Sequence, residues 1–265
     1  EMGGNLFANE REEVEQGDSL LRAMDDVMNH SIELFESGDV AAAVAECEGA
    51  VNRLRSAFGG TNEHTLHAQL LLANLVAKHG RLAESVTMYG EVIDQFKQQL
   101  GDNNLDTLGA QVDLAHVLTR MDRLHDARNI LTVVLREYES QLGAYHEDTM
   151  DARHALANLL HEQGQLCVAK TMYETLLAQR SSIDGEQAQA TMGVKMCVAN
   201  VLMQQGRLEE ARVLHEEVVR RITSLLGSQH PDTHSAQNNL ATASFESDLA
   251  AFLRAEDWSP FPTPI

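Results

Sequence analysis

The chain has 265 residues, 43% of them hydrophobic and 23% charged, and its 40 acidic against 20 basic side chains give a formal charge of −20. That balance lacks the basic stripe a phosphate backbone needs and disfavours an anionic lipid surface, and no apolar run approaches the roughly 18 residues of a membrane span, so neither nucleic acid nor direct membrane insertion is expected. Basic protein surfaces would be attracted instead.

Residues 1–17 are an acidic lead-in, expected to be irregular or loosely docked. From about residue 18 a period of 42 governs the chain. Gly38, Gly80, Gly164 and Gly206 keep that beat, with Asp122 in the skipped place. Gly59, Gly101, Gly143, Gly185 and Gly227 form a second series, and Thr65, Thr107, Thr149, Thr191 and Thr233 a third. Between the markers the pattern is helical. "TLHAQLLLANLVAKHG" sets Leu66, Gln69, Leu70, Ala73, Val76 and Ala77 on one side of a helix that ends at Gly80. "RLAESVTMYGEVIDQFKQQLG" is a second helix stopped by Gly101.

Helix pairs are thus predicted at about 18–59, 60–101, 102–143, 144–185 and 186–227, followed by a capping helix at 231–247. Residues 248–265 are predicted as a short helix, packing Leu249, Phe252 and Leu253 on the last repeat, and then an extended Pro-rich tail from Pro260 onward. Small residues recur where helices must approach closely. Ala73, Ala115, Ala157, Ala199 and Ala241 share one place in the first helices; Ala43, Ser85, Ala127, Ala169 and Ala211 share one in the second.

A small residue at position 8 of the hairpin, glycine at the turn and alanine at position 20 resemble the tetratricopeptide repeat. The long period, with "LGAYHEDTMDARHALANLLHEQGQL" (142–166) and "LGSQHPDTHSAQNNLA" (226–241), resembles the kinesin-light-chain variety over roughly residues 18–247. The resemblance implies an all-α, right-handed superhelical solenoid of about five and a half helix-turn-helix repeats, each burying its neighbour's apolar face. The chain departs from that family at its start. "EMGGNLFANEREEVEQGDSL" shows no sustained heptads like those that bind the motor chain. Glu1 stands where Met would open a chain, so the sequence is expected to be a fragment or a processed product.

The same resemblance implies that positions 2, 5, 9, 12 and 13 of each hairpin face a concave groove. Position 9 holds Asn74, His116, Asn158, Asn200 and Thr242. Asparagine is a mediocre helix former, so its recurrence has one of two reasons: the carboxamides grip the backbone of an extended peptide, or they bond a neighbouring helix. Position 13 brings Lys78 and Arg120, a basic spot suited to an acidic peptide or simply two solvated charges. The candidate peptide-binding groove is therefore Asn74, Lys78, His116, Arg120, Asn158 and Asn200. Met196 and Met203 are either an adaptable lining or core.

The three cysteines, Cys47, Cys167 and Cys197, are expected to be buried and reduced, which suits the cytoplasm or an organelle reached by a cleaved leader. Twelve histidines, among them His154 and His161 on one helix face, show no converging ligand set, and no catalytic motif is present. No metal, no cofactor and no catalysis are expected.

The tail "AEDWSPFPTPI" carries the one tryptophan. It is expected either to cap the last repeat, to anchor a partner through Asp257, Trp258 and Phe261, or to occupy a groove as a pseudo-ligand. The expected function is a protein–protein interaction scaffold within a larger assembly. A cargo adaptor of the kinesin-light-chain type and a regulatory module of a larger enzyme are the alternatives.

Overall fold

Eleven helices follow one another in the computed structural model, which describes residues 2–255, with side chains from 19 to 253. They are α1 (Met2–Glu36), α2 (Val40–Phe58), α3 (Glu63–Lys78), α4 (Leu82–Leu100), α5 (Leu105–Arg120) and α6 (Leu124–Gln141). After these come α7 (Glu147–Glu162), α8 (Leu166–Ile183), α9 (Gln189–Gln204), α10 (Leu208–Leu226) and α11 (Pro231–Ala255). No strand occurs among the described residues. The fold is the all-α repeat of helix hairpins that the 42-residue period implies.

The two glycine series do different jobs. Gly59, Gly101 and Gly227 close second helices with φ of 85–96° and ψ near 165°, a region open only to glycine. The turns inside each hairpin are left-handed, and there Asp122 stands at φ 60° in a glycine's place. An aspartate can therefore fill a beat of the first series, whereas the second series is glycine throughout. In three repeats the threonine bonds the second-series glycine before it, while the Thr65 and Thr149 hydroxyls have no hydrogen-bond partner among the described residues. All five threonines are fully buried, and Thr107, Thr191 and Thr233 donate to the carbonyls of Gly101, Gly185 and Gly227 at 2.9, 2.9 and 2.7 Å. Asn62 and Asn104 cap the helices that follow, accepting from the amides of His64 and Asp106.

The chain forms two compact units that divide within α6, after Glu137. In the first, each helix from α1 to α5 packs on the next, and the first helices α1, α3 and α5 also touch in succession. Its core includes Val51, Leu54, Leu72 and Val76 in one cluster and Tyr89, Val92 and Phe96 in another. In the second unit α7 to α11 pack in order, and α9 also touches α11. Close approach is visible directly in the first unit, where the buried Ser85 hydroxyl donates to the Ala73 carbonyl at 2.7 Å.

Three expectations change. α1 begins at Met2, so the stretch read as an irregular lead-in is helical; no proline precedes Pro231, and "EREEVEQ" is rich in helix formers. α11 runs unbroken through Asp248, the next beat of the hairpin-turn series, to Ala255. Leu249, Phe252 and Leu253 are therefore exposed rather than packed on the last repeat, as is Phe245. Ala241, grouped with the packing alanines, is exposed as well. Lastly, Cys167 is exposed as the second residue of α8, and Cys197 is only partly buried; all three cysteines are unpaired.

Candidate functional site

The first helices carry the groove candidates. In the first unit α3 presents Asn74, half-buried, and Lys78, exposed, while α5 presents His116 and Arg120, both exposed. The Lys78 ammonium lies 4.4 Å from the centroid of the Phe35 ring of α1, a cation–π contact. Asp113 on α5 lies in the same field. Burial raises its carboxyl above the usual range, and the charges of His116 and Lys78 oppose that rise. The basic spot expected from Lys78 and Arg120 is thus partly offset by a carboxylate one turn from His116.

In the second unit α7 presents Asn158 and α9 presents Asn200. The Asn158 carboxamide oxygen accepts from the Tyr173 hydroxyl of α8 at 2.5 Å. The Tyr173 ring in turn meets His154 and His161 edge-on, at 6.0 and 6.5 Å. So Asn158 does bond a neighbouring helix through its oxygen, while its amide N–H₂ stays on an exposed residue. The partner lies fifteen residues on; Tyr89 and His215 stand at the same offset from Asn74 and Asn200, but the Tyr89 hydroxyl and both His215 ring nitrogens have no hydrogen-bond partner among the described residues. That pairing was available in the sequence.

His215 is fully buried, and neither ring nitrogen has a hydrogen-bond partner among the described residues. Burial pushes its pKa below the ordinary histidine value. Above that ordinary value folded and unfolded chains both hold it neutral. As pH falls through it, the unfolded chain takes the proton first and folding stability is lost. His215→Leu, matching the buried Leu131 of α6, should raise stability by about 1 kcal/mol at pH 7.5 by removing two unsatisfied groups. Its advantage in thermal melts should widen from pH 7 to 5.5; parallel curves would refute the assignment.

A cavity of about 450 Å³ opens among α7–α11, entirely within the second unit. Leu176, Met192, Met196, Val218, Ile222 and Ala236 give it apolar walls, and His154, Arg180, Gln189, Asp232 and Ser235 supply polar groups. Met196 therefore lines space while packing on the Met192 cluster, and Met203 is half-buried. Gly193 and Ser235, on successive first helices, leave the room. This cavity was not foreseen, because it comes from side chains that are missing or short.

Cys197 Sγ and His154 Nε2 lie 3.6 Å apart beside the cavity. Burial pushes the thiol up to about 11, the opposite of an activated nucleophile. Among the described residues no three His, Cys, Asp or Glu side chains come together to hold a metal ion, and no helix is long and apolar enough to cross a membrane. Asp257, Trp258 and Phe261 lie outside the described residues.

Models of the tetratricopeptide repeat match residues 106–182 and 191–232. Among solved structures the chain is similar to a Podosopora anserina protein of kinesin-light-chain kind with nearly identical TPR-like repeats. The TM-score is 0.65 at 19% identity, over 78% of this chain and 98% of that one. It is also similar to BtubC (BKLC) from P. vanneervenii, with TM-score 0.67 at 19% identity over 85% and 95% of the two chains. A thermophilic TPR protein of Thermus thermophilus gives 0.57 at 15% identity over 84% and 99%. At these identities the likeness is one of fold. No curated protein matches the chain in sequence.

Proposed function

We propose that this chain, a tetratricopeptide-repeat protein with repeats of the kinesin-light-chain-like type, is a non-catalytic scaffold that grips an extended peptide or protein surface along its first helices, as a subunit of a larger assembly. Tetratricopeptide repeats are protein-interaction modules, and that much follows from the fold. The observation that carries the finer reading is the recurrence of polar side chains on the first helices directly after a packed alanine. Ala73, Ala115, Ala157 and Ala199 are fully buried, while their successors Asn74, His116, Asn158 and Asn200 reach solvent in whole or part. Lys78 and Arg120 add cations one turn on. The raised thiol of Cys197 argues against cysteine catalysis, and the charge of −20 against nucleic acid.

The groove is tested by partner recovery from the native source after cross-linking. Asn158→Asp keeps an acceptor for Tyr173 while deleting the amide donors. Combined with Asn200→Ala, it should cut recovery at least tenfold with the melting temperature little changed. Tyr173→Phe should leave recovery intact. Full recovery with the double variant would sink the groove reading. The open α11 face at Phe245, Leu249 and Phe252 supports a capping role for the tail, with Asp257, Trp258 and Phe261 anchoring a partner as the alternative. Deleting 256–265 lowers the melting temperature in the first case and releases the partner in the second. A cargo-adaptor role is the alternative that the kinesin-light-chain neighbours bring, and heptads upstream in a longer chain would favour it.

A further inference from the structure

We propose that the cavity among α7–α11 receives one large apolar side chain of a partner segment that is basic around it: an extended peptide with an aromatic or long aliphatic anchor flanked by arginine or lysine. The proposal rests on the scaffold reading and names what this end of the chain takes.

Size and lining set the anchor. About 450 Å³ is in the range of ligand pockets, and this one has apolar walls with a few polar groups. Met192 and Met196 can adjust to more than one shape of side chain. Gly193 faces open space, since a Cβ built there meets no atom within 4 Å.

Charge sets what flanks the anchor. The arginine lining the cavity, Arg180, is largely buried and already committed. Its guanidinium meets Glu147 at 2.8 Å, Asp151 at 2.9 Å and Asp184 at 3.6 Å, three carboxylates against one cation. Asp232, itself at the lining, adds a fourth carboxylate, met by the Gln189 amide at 3.1 Å and by the His230 ring at 3.8 Å. Arg221, also at the α8–α9 loop, donates to the Gln187 carbonyl. The surroundings are therefore net negative, in a chain that is itself strongly acidic. An acidic segment would be repelled, whereas a cation beside the anchor gains charge-assisted hydrogen bonds.

The chain's own tail fits poorly. Ser235 lies twenty residues before Ala255 on α11, about 30 Å along the helix. The residues that follow open with Glu256 and Asp257, which the net-negative surroundings would repel. An outside segment is the better occupant.

Fluorescence anisotropy with the whole chain tests this, using a fluorescein-labelled Gly-Ser-Arg-Trp-Arg-Ser-Gly peptide and two analogues, one with Ala for Trp and one with Glu for both Arg. The parent should bind at least tenfold more tightly than either analogue. Gly193→Leu fills the space and should weaken binding at least tenfold without lowering the melting temperature; Ser235→Leu serves if that variant misfolds. Asp232→Asn should weaken binding several-fold and flatten its salt dependence. Equal binding of the three peptides, or undiminished binding by both filling variants, overturns the proposal. So does concentration-dependent self-association abolished by Gly193→Leu, which makes the occupant a second copy, or tighter peptide binding after deletion of 256–265, which makes it the tail. Partner release by the Asn158 and Asn200 variants alongside indifferent peptides would leave the scaffold reading standing and remove only this one.

Discussion

Ala199→Leu is expected to lower the melting temperature by roughly 5–10 °C, a loss of about 2–3 kcal/mol, whereas Ala241→Leu should stay within about 2 °C of the parent. The two alanines hold the same place in successive first helices. Ala199 on α9 is fully buried, and α9 packs on both α8 and α10. How little room this place offers is shown at its counterpart in α3, where the Ser85 hydroxyl reaches the Ala73 backbone at 2.7 Å. A leucine side chain there must push two helix backbones apart or adopt a strained rotamer. The penalty is felt beyond one hairpin, because in a repeat array each unit is stabilised by its neighbours. Ala241 on α11 is exposed, with no helix packed over it among the described residues. Circular dichroism melts of the two variants decide the matter. Equal and small shifts would mean that the small residues mark helix propensity and not close approach.

The difference between those two alanines also marks what could be seen in the sequence. The period, the turn glycines and the small residues are local requirements, each written into one residue type, and they led directly to the helix hairpins. Asp248 shows where this stops. It keeps the beat of Gly206, and aspartate had already taken a turn at Asp122, so nothing local separates a turn from a continuing helix. In the structure the helix continues through that position to Ala255. Position 9 was legible as a pattern, and the fifteen-residue offset from Asn158 to Tyr173 would have revealed its internal bond. The cavity was not legible, because it is made where Gly193 and Ser235 contribute almost nothing. Nor was the setting of Lys78, whose ring partner Phe35 sits a full repeat earlier.

A single residue that breaks the repeat gives the second large effect. Where α3 and α5 carry Gln69 and Gln111, α7 carries Arg153, whose side chain is almost wholly buried. Its guanidinium donates to the Gln179 carboxamide oxygen and to Glu139, and the Gln179 amide donates to the Ala144 carbonyl at 2.8 Å. Gln179→Leu takes one acceptor from a buried cation and the nearer of two donors from the part-buried Ala144 carbonyl, which Arg153 also meets at 3.5 Å. Hydrogen bonds to charged groups are worth about 1.5–3 kcal/mol, so the variant should lose about 2–3 kcal/mol in urea unfolding, with Glu139 still holding part of the charge. Arg153→Met alone strands the Gln179 oxygen and should cost a similar amount. The double variant replaces both partners with apolar side chains, and there the losses should not add: it should be no less stable than the worse single variant, a coupling of about 1–3 kcal/mol. The glutamines of α3 and α5 show that hairpins form without a cation at this place. The Arg153 network is therefore a local closure of the α6–α7 loop onto α8, and additive losses in the cycle would show that its members act independently.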